Sequence, residues 1–177
     1  MTGQTRSLIA YFSRTGDNYV NGSIVRLSVG NTEAAARMIQ ELTGGDTFQI
    51  RTVKDYPLGY NETTEAAKQE LRQKARPELS SRVDRMEEYG VVYLGYPNWW
   101  GTMPMAVFTF LEAYDFAGKT IRPFCTHEGS GLGRSEGDIR KICPGAKVLK
   151  GLAIRGGSVH GAADAISAWL RTPGSTD

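Results

Sequence analysis

Three short polar segments carry the residue types that can hold a ligand. The first is divided: Ser13-Arg14-Thr15-Gly16 follows an apolar run, and Asn31-Thr32 opens an amphipathic stretch after an interruption from Asp17 to Gly30. Hydroxyl, amide and glycine residues between a strand and a helix N-terminus place several backbone N–H groups around one anion, and the helix dipole adds to the attraction. A phosphate suits such a loop. The expected donors are the Ser13 and Thr15 hydroxyls and the N–H groups around Arg14, Asn31 and Thr32, with Arg14 adding charge. Neither GxGxxG nor GxxxxGK[ST] occurs, which sets aside the dinucleotide fingerprint and the nucleoside-triphosphate loop. Taken alone, the same residues also serve ordinary strand-to-helix turns as caps and positive-φ positions.

Two further segments change that balance. Pro97-Asn98-Trp99-Trp100-Gly101 follows a second apolar strand pattern, and Thr126-His127-Glu128-Gly129-Ser130-Gly131 follows a third. All three segments therefore lie beyond the C-terminal ends of strands, where open parallel α/β sheets bind ligands. Trp99 and Trp100 offer π-faces to a planar ring, a stack worth about 1 kcal/mol beyond apolar burial; the alternative for both is core or interface packing. Consecutive side chains on a strand-end loop diverge, so one faces the ligand while the other packs inward, and Trp99 is the expected ring neighbour. Asn98 supplies a polar edge, and Gly101 permits close backbone approach. His127, Glu128 and Ser130 sit too close along one loop to be read as a hydrolase triad, and GxSxG is missing. Backbone groups of Thr126 to Gly131 are instead expected to read the polar edge of a ring.

Positioning these loops falls to alternating strands and helices. Ser7 to Phe12 is nearly continuously apolar, as in a strand buried on both faces. Asn21-Gly22 lies between Tyr19-Val20 and Ile24, Val25, Leu27 and Val29, which predicts a hairpin or ordered flap over residues 17–30. Asn31 to Thr43 has helical spacing and ends at Gly44-Gly45. Thr47 to Arg51 reads as a strand and Asn61 to Ala75 as a helix, with Tyr56 and Tyr60 before it either packing on the sheet edge or reaching the ligand. Further strands are expected at Tyr89 to Tyr96, Lys119 to Cys125 and Lys147 to Ile154. Helices are expected at Ala106 to Tyr114, Gly133 to Ile142 and Gly161 to Arg171. The alternation predicts an α/β, doubly wound, five-stranded parallel sheet with helices on both faces.

The chain has 177 residues, which suits one compact domain over 1–177, with 40% hydrophobic and 23% charged residues. That composition argues against disorder and against a membrane protein, and no apolar run approaches spanning length. Residues 1–6 are polar and too short for a signal peptide, so a cytoplasmic location is expected. The net charge of +2 is spread among mixed signs, without the clustered basic face that nucleic-acid binding needs. Cys125 and Cys143 begin no Cys-x5-Arg loop, because Gly131 and Leu149 stand where the arginine would be. Two reduced thiols are expected, and two histidines without ligand spacing predict no metal site.

In this order the three segments resemble the flavodoxin-like family. Ser13-x-Thr15-Gly16 with Asn31-Thr32 is similar to its T/S-x-T-G-x-T phosphate loop, with Asp17 to Gly30 inserted. Pro97 to Pro104 looks like the loop against one face of a flavin ring, and Thr126 to Gly133 like the third flavin loop. The resemblance runs from Leu8 to about Leu170. It implies strand order 2-1-3-4-5, noncovalent FMN at the switch between the first and third strands, and a Gly101 peptide that reorients toward the flavin. Whether Gly16 or Gly30 takes the family's glycine position stays open. The family implies no catalytic side chain; the flavin carries the chemistry. Two roles follow from the resemblance: an electron carrier between partner proteins, or an FMN-dependent NAD(P)H oxidoreductase acting on a quinone or similar small acceptor. The missing acidic face favours the second, whereas the small size and lack of a recognisable nicotinamide site favour the first, which is the expected role.

Overall fold

β1 (Arg6–Tyr11) is an interior strand of a parallel sheet, in a computed structural model that describes residues 5–173. Flanked on both edges and covered on both faces, it has no solvent side, which is why consecutive residues are apolar. Alternate side chains divide between two cores. Leu8, Ala10 and Phe12 join Val92, Leu94 and Phe110 on one face, while Ile9 and Tyr11 join Ile39, Phe124 and Ile166 on the other.

β2 (Gly16–Val20) and β3 (Ser23–Leu27) form an antiparallel hairpin separate from the main sheet. Its turn has φ 52° at Asn21 and 85° at Gly22, the two left-handed positions that Asn-Gly supplies at low cost. α1 (Asn31–Thr43) follows and ends at Gly44, whose φ of 70° lets its N–H reach the Gln40 carbonyl at 2.8 Å. Then come β4 (Asp46–Gln49), α2 (Tyr60–Gln73), β5 (Tyr89–Pro97), α3 (Met105–Glu112), β6 (Thr120–His127) and α4 (Ser135–Ile142). β7 (Lys147–Val148), β8 (Leu152–Arg155) and α5 (Ala163–Arg171) complete the chain. The sheet runs β4-β1-β5-β6, with β7 and β8 both beside β6, all parallel. Counting main-sheet strands, this is the expected order 2-1-3-4-5. α1 and α5 cover one face; α3 and α4 cover the other.

Two expectations need correction. The last strand, read as one run over 147–154, is broken into β7 and β8. Ile121 pairs with Val148 and Phe124 with Leu152, so Arg122-Pro123 on β6 faces the three residues Leu149 to Gly151. Pro123 has no N–H to give the ladder, and the extra residue bulges out. Its backbone groups find other partners: Leu149 N–H donates to Ile121 O, Gly151 N–H to Glu136 Oε2, and the Trp169 indole N–H to Lys150 O. The final helix also starts later, because Gly156–Gly161 forms a 3-10 helix before α5.

Both cysteines are free and buried, and burial pushes the Cys125 thiol up to about 12 and the Cys143 thiol to about 11. They pack as small apolar groups. Among the described residues, no helix is long and apolar enough to cross a membrane. The reading of residues 1–6 falls mostly outside the described part.

Gly95, in the middle of β5, is required by packing, because a Cβ there would strike the ring of the fully buried Phe124. Gly95→Ala should lower unfolding free energy in urea by about 1–3 kcal/mol through overpacking. Gly137, exposed on α4 with open space around it, makes the opposite case. Gly137→Ala should raise stability by about 0.5–1 kcal/mol in the same titration.

Candidate functional site

The loops leaving the C-terminal ends of β1, β5 and β6 enclose a cavity of about 530 Å³. That lies within the roughly 300–1,000 Å³ of small-molecule and cofactor sites. It sits at the switch point, where connections from β1 and β5 depart to opposite sides of the sheet.

One end is built for an anion. Ser13, Asn31 and Thr32 line it together with Arg14. Ser13 Oγ accepts the Glu33 N–H at 3.1 Å, which leaves its own proton to donate into the cavity. The first-turn N–H groups of α1 have no intrahelical acceptors, and the dipole concentrates positive potential there. Thr32 and Thr126 share a hydroxyl–hydroxyl bond of 2.8 Å, which ties the first loop to the third. Gly30 closes the loop: a Cβ on it would strike Ser13 Oγ and lie 2.6 Å from Arg14 O. Gly16, with φ +88°, instead opens the hairpin.

Three expectations change here. Thr15 and Gly16 lie outside the cavity, in a shallow recess with Arg26 and Leu58, because β2 starts at once and carries them away. Arg14 lines the cavity, but its guanidinium donates to the carbonyls of Asp17, Pro57, Leu58 and Gly59. It therefore braces two loops instead of reaching into the anion end, and its burial lowers its pKa.

The other end is aromatic. Pro97, Asn98, Trp99 and Trp100 all face the cavity. Asn98 is held at both ends of its amide, donating to Gly131 O at 2.8 Å and accepting the Gly101 N–H at 2.9 Å. Trp99 packs edge-on against Phe12 and Tyr56, each with ring centroids 5.2 Å away. Trp100 is half exposed, with its indole N–H on Thr64 O at 3.0 Å and Lys68 Nζ 5.5 Å from its ring centroid. The pair thus diverges, Trp99 inward and Trp100 toward the mouth. Residues 99–102 close on themselves through Trp99 N–H to Thr102 O and Thr102 N–H to Trp99 O. The central φ values are 56° at Trp100 and 88° at Gly101. Left-handed backbone costs a bulky residue about 1–2 kcal/mol, so the indole's anchoring offsets real strain.

Gly101 stands outside the cavity wall, contrary to its expected place. Its carbonyl accepts the Arg134 N–H at 2.8 Å and is covered by Gly133, while its N–H is held by Asn98. Reorienting the Gly101–Thr102 peptide would break its carbonyl's bond to the Arg134 N–H and the Thr102 N–H bond to Trp99 O.

From the third loop, Thr126, His127, Glu128 and Ser130 line the cavity, whereas Gly129 and Gly131 shape the turn at φ 132° and 62°. His127 Nδ1 accepts the Gly129 N–H at 2.9 Å, so the neutral ring carries its proton on Nε2. Burial, reinforced by Arg155, lowers the His127 pKa and favours that neutral form. Glu128 Oε2 accepts the Asn21 N–H at 3.1 Å. These partners are turn and hairpin amides, not members of a proton relay.

The remaining walls are residues absent from the sequence-based site, together with Tyr60, for which reaching the ligand is one of the two expected placements. Asn18 and Tyr19 come from the hairpin, Tyr60, Thr63, Thr64 and Ala67 from α2, and Gly156 from the 3-10 turn. A signal existed for α2, since positions 60, 63, 64 and 67 follow i, i+3, i+4, i+7 and present one small, hydroxyl-rich face. Tyr60 reaches the cavity and meets Tyr19 with ring centroids 6.0 Å apart, whereas Tyr56 packs behind Trp99.

Comparison with known proteins agrees with this architecture. No curated protein sequence matches the chain. A solved protein assigned as a flavoprotein from Bacteroides uniformis is 29% identical, with TM-score 0.74 over 94% of this chain and 98% of that one. A similarly assigned protein from Bacteroides eggerthii is 28% identical, with TM-score 0.70 over 93% of this chain and 99% of that one. A flavoprotein from Lactobacillus acidophilus, solved in complex with FMN, shares the fold at 18% identity, with TM-score 0.62 over 93% and 99%. The flavodoxin family profile matches residues 6–172, nearly the whole described length, and the chain belongs to the flavodoxin family.

Proposed function

We propose that the cavity holds FMN noncovalently and that the protein transfers electrons through it to partner proteins. The observation that carries this reading is one cavity with an anion end at α1 and an aromatic end at Trp99-Trp100. A phosphate fits the first end: Gly30 brings the α1 N-terminus against Ser13, whose hydroxyl proton remains to donate. A planar ring fits the second, where Asn98 is fixed by two hydrogen bonds beside the indoles. A polyol linking the two ends would pass Thr126 and Glu128. Bound FMN supplies reversible uptake and release of electrons. The protein contributes binding, orientation and exclusion of water by the hairpin and α2.

Partner docking is supported by apolar groups at the mouth. Tyr19 and Trp100 line the cavity and are exposed, and the exposed Ile24 is the cross-strand neighbour of Tyr19 on the hairpin. Exposed apolar patches around a cavity commonly mark interaction sites. The second reading is an NAD(P)H oxidoreductase acting on a quinone or similar small acceptor. It is favoured by the net charge of +2 and isoelectric point near 8.5, because the resemblance leads one to expect an acidic face on an electron shuttle.

Ser13→Ala combined with Asn31→Ala should weaken FMN binding more than riboflavin binding, since the lost donors face phosphate. Each hydrogen bond to a charged group is worth about 1.5–3 kcal/mol. Thr15→Ala, outside the cavity, should leave both affinities unchanged in the same fluorescence titration. Equal losses for the two ligands in the double variant would show that these residues only shape the loop.

The two roles separate in a reduction assay. On the carrier reading, NADH or NADPH alone leaves the bound flavin oxidised, and reduction begins when a separate flavoprotein reductase is added. Direct reduction by either nucleotide, with continued turnover on a quinone, would establish the enzyme instead.

A further inference from the structure

Of the three indole N–H groups, only that of Trp99 has no hydrogen-bond partner among the described residues; those of Trp100 and Trp169 donate to Thr64 O and Lys150 O. Packing must therefore orient Trp99, and two ring edges do so. Phe12 and Tyr56 meet it with centroids 5.2 Å away at interplanar angles of 79° and 84°, and they meet each other at 5.9 Å and 86°. Phe12 is fixed by the sheet, buried and with its N–H on Gly95 O at 2.9 Å. Tyr56 has no such support. It lies in the connection before α2, and neither its N–H nor its carbonyl has a hydrogen-bond partner among the described residues.

The one hydrogen bond that Tyr56 makes among the described residues runs from its hydroxyl to Glu70 Oε2, at 2.7 Å. Burial, reinforced by that bond, raises the Tyr56 pKa, so the phenol keeps its proton and remains the donor. Thr63, Ala67 and Glu70 follow i, i+4, i+7 and share one side of α2. Thr63 and Ala67 line the cavity, as does Trp99, but neither Glu70 nor Tyr56 reaches its wall. Any effect of this pair on a ligand therefore passes through the indole. Without the tether the Tyr56 ring is free to turn away, and Trp99 gains rotamers that must be frozen out again when a ligand binds.

Resting on the FMN reading above, we infer that Glu70 is a positioning residue for ring recognition: through the Tyr56 hydroxyl it locks the Trp99 indole at the cavity. α2 thus sets the aromatic end as well as its own wall. The part of the ligand it serves is the planar ring, not the polyol or the phosphate.

The test uses the full chain with FMN, riboflavin and lumiflavin, the last carrying the ring without the polyol. Affinities come from flavin fluorescence. Near-UV circular dichroism of the ligand-free protein reports the order of Trp99, identified by difference against Trp99→Leu. Tyr56→Phe and Glu70→Leu should each weaken all three flavins by one common factor, about 3- to 10-fold, and reduce the Trp99 band. Glu70→Gln, which keeps an acceptor oxygen without the charge, should stay within about twofold of wild type. In a Trp99→Leu background Glu70→Leu should bring no further loss, whereas a general loosening of α2 would weaken binding in either background. Wild-type affinity in Tyr56→Phe, equal losses in Glu70→Gln and Glu70→Leu, a loss confined to FMN, or a full additional loss in the Trp99→Leu background would each overturn the tether. A wild-type protein that binds none of the three flavins would overturn the FMN reading instead, and the Trp99 band would still show whether Glu70 orders the indole.

Discussion

The close approach of Gly30 to Ser13 and Arg14 is the constraint on which the site depends. β1 must deliver the chain to α1 with the helix N-terminus at the sheet edge, yet an insertion separates them. The hairpin resolves this by closing its own base: Gly16 pairs with Leu27, so the insertion departs and returns at nearly one place. A side chain at Gly30 would push the two halves of the loop apart. The helix dipole and free first-turn N–H groups would then no longer converge with Ser13.

Arg14 shows how a charged residue within a binding motif becomes structural. The Pro57, Leu58 and Gly59 carbonyls already accept the Thr63 hydroxyl, the Asp17 N–H and the Thr63 N–H, and each has a second lone pair for a charged donor. The guanidinium meets several at once and thereby fixes α2 and the hairpin relative to the first loop. Two cavity walls that are remote in sequence are joined by this one side chain. Thr32 and Thr126 do the same between the first and third loops, with a single hydroxyl pair.

The aromatic end rests on a different compromise. A tight turn over Trp99 to Thr102 needs two left-handed residues, and the first of them is Trp100 instead of a low-cost Asn or Gly. Contacts to Thr64 and Lys68 hold the indole in place, so α2 supports the strained residue from outside the loop. The Gly101 carbonyl is held by Arg134, which makes the loop a rigid part of the site. Rigidity of this kind orients a planar ring without further ordering cost.

The sequence by itself determined the sheet, the helices and the three ligand loops. Its signals were local: continuous apolar runs for strands buried on both faces, 3.6-residue spacing for helices, and Asn21-Gly22 for the hairpin turn. It also specified which strand ends bear the polar residues. Tertiary structure alone decided the sides of the cavity. Thr15 and Gly16 were carried away by β2, and Arg14 was turned onto carbonyls of a loop more than forty residues distant. Tyr60 and Thr63 were brought in by α2, and Glu128 was set against the hairpin tip. The break between β7 and β8 depends likewise on Pro123 in the neighbouring strand. Periodicity records which side of an element is buried; it holds no record of what lies opposite, because that partner is selected by steric fit and hydrogen bonding between distant segments.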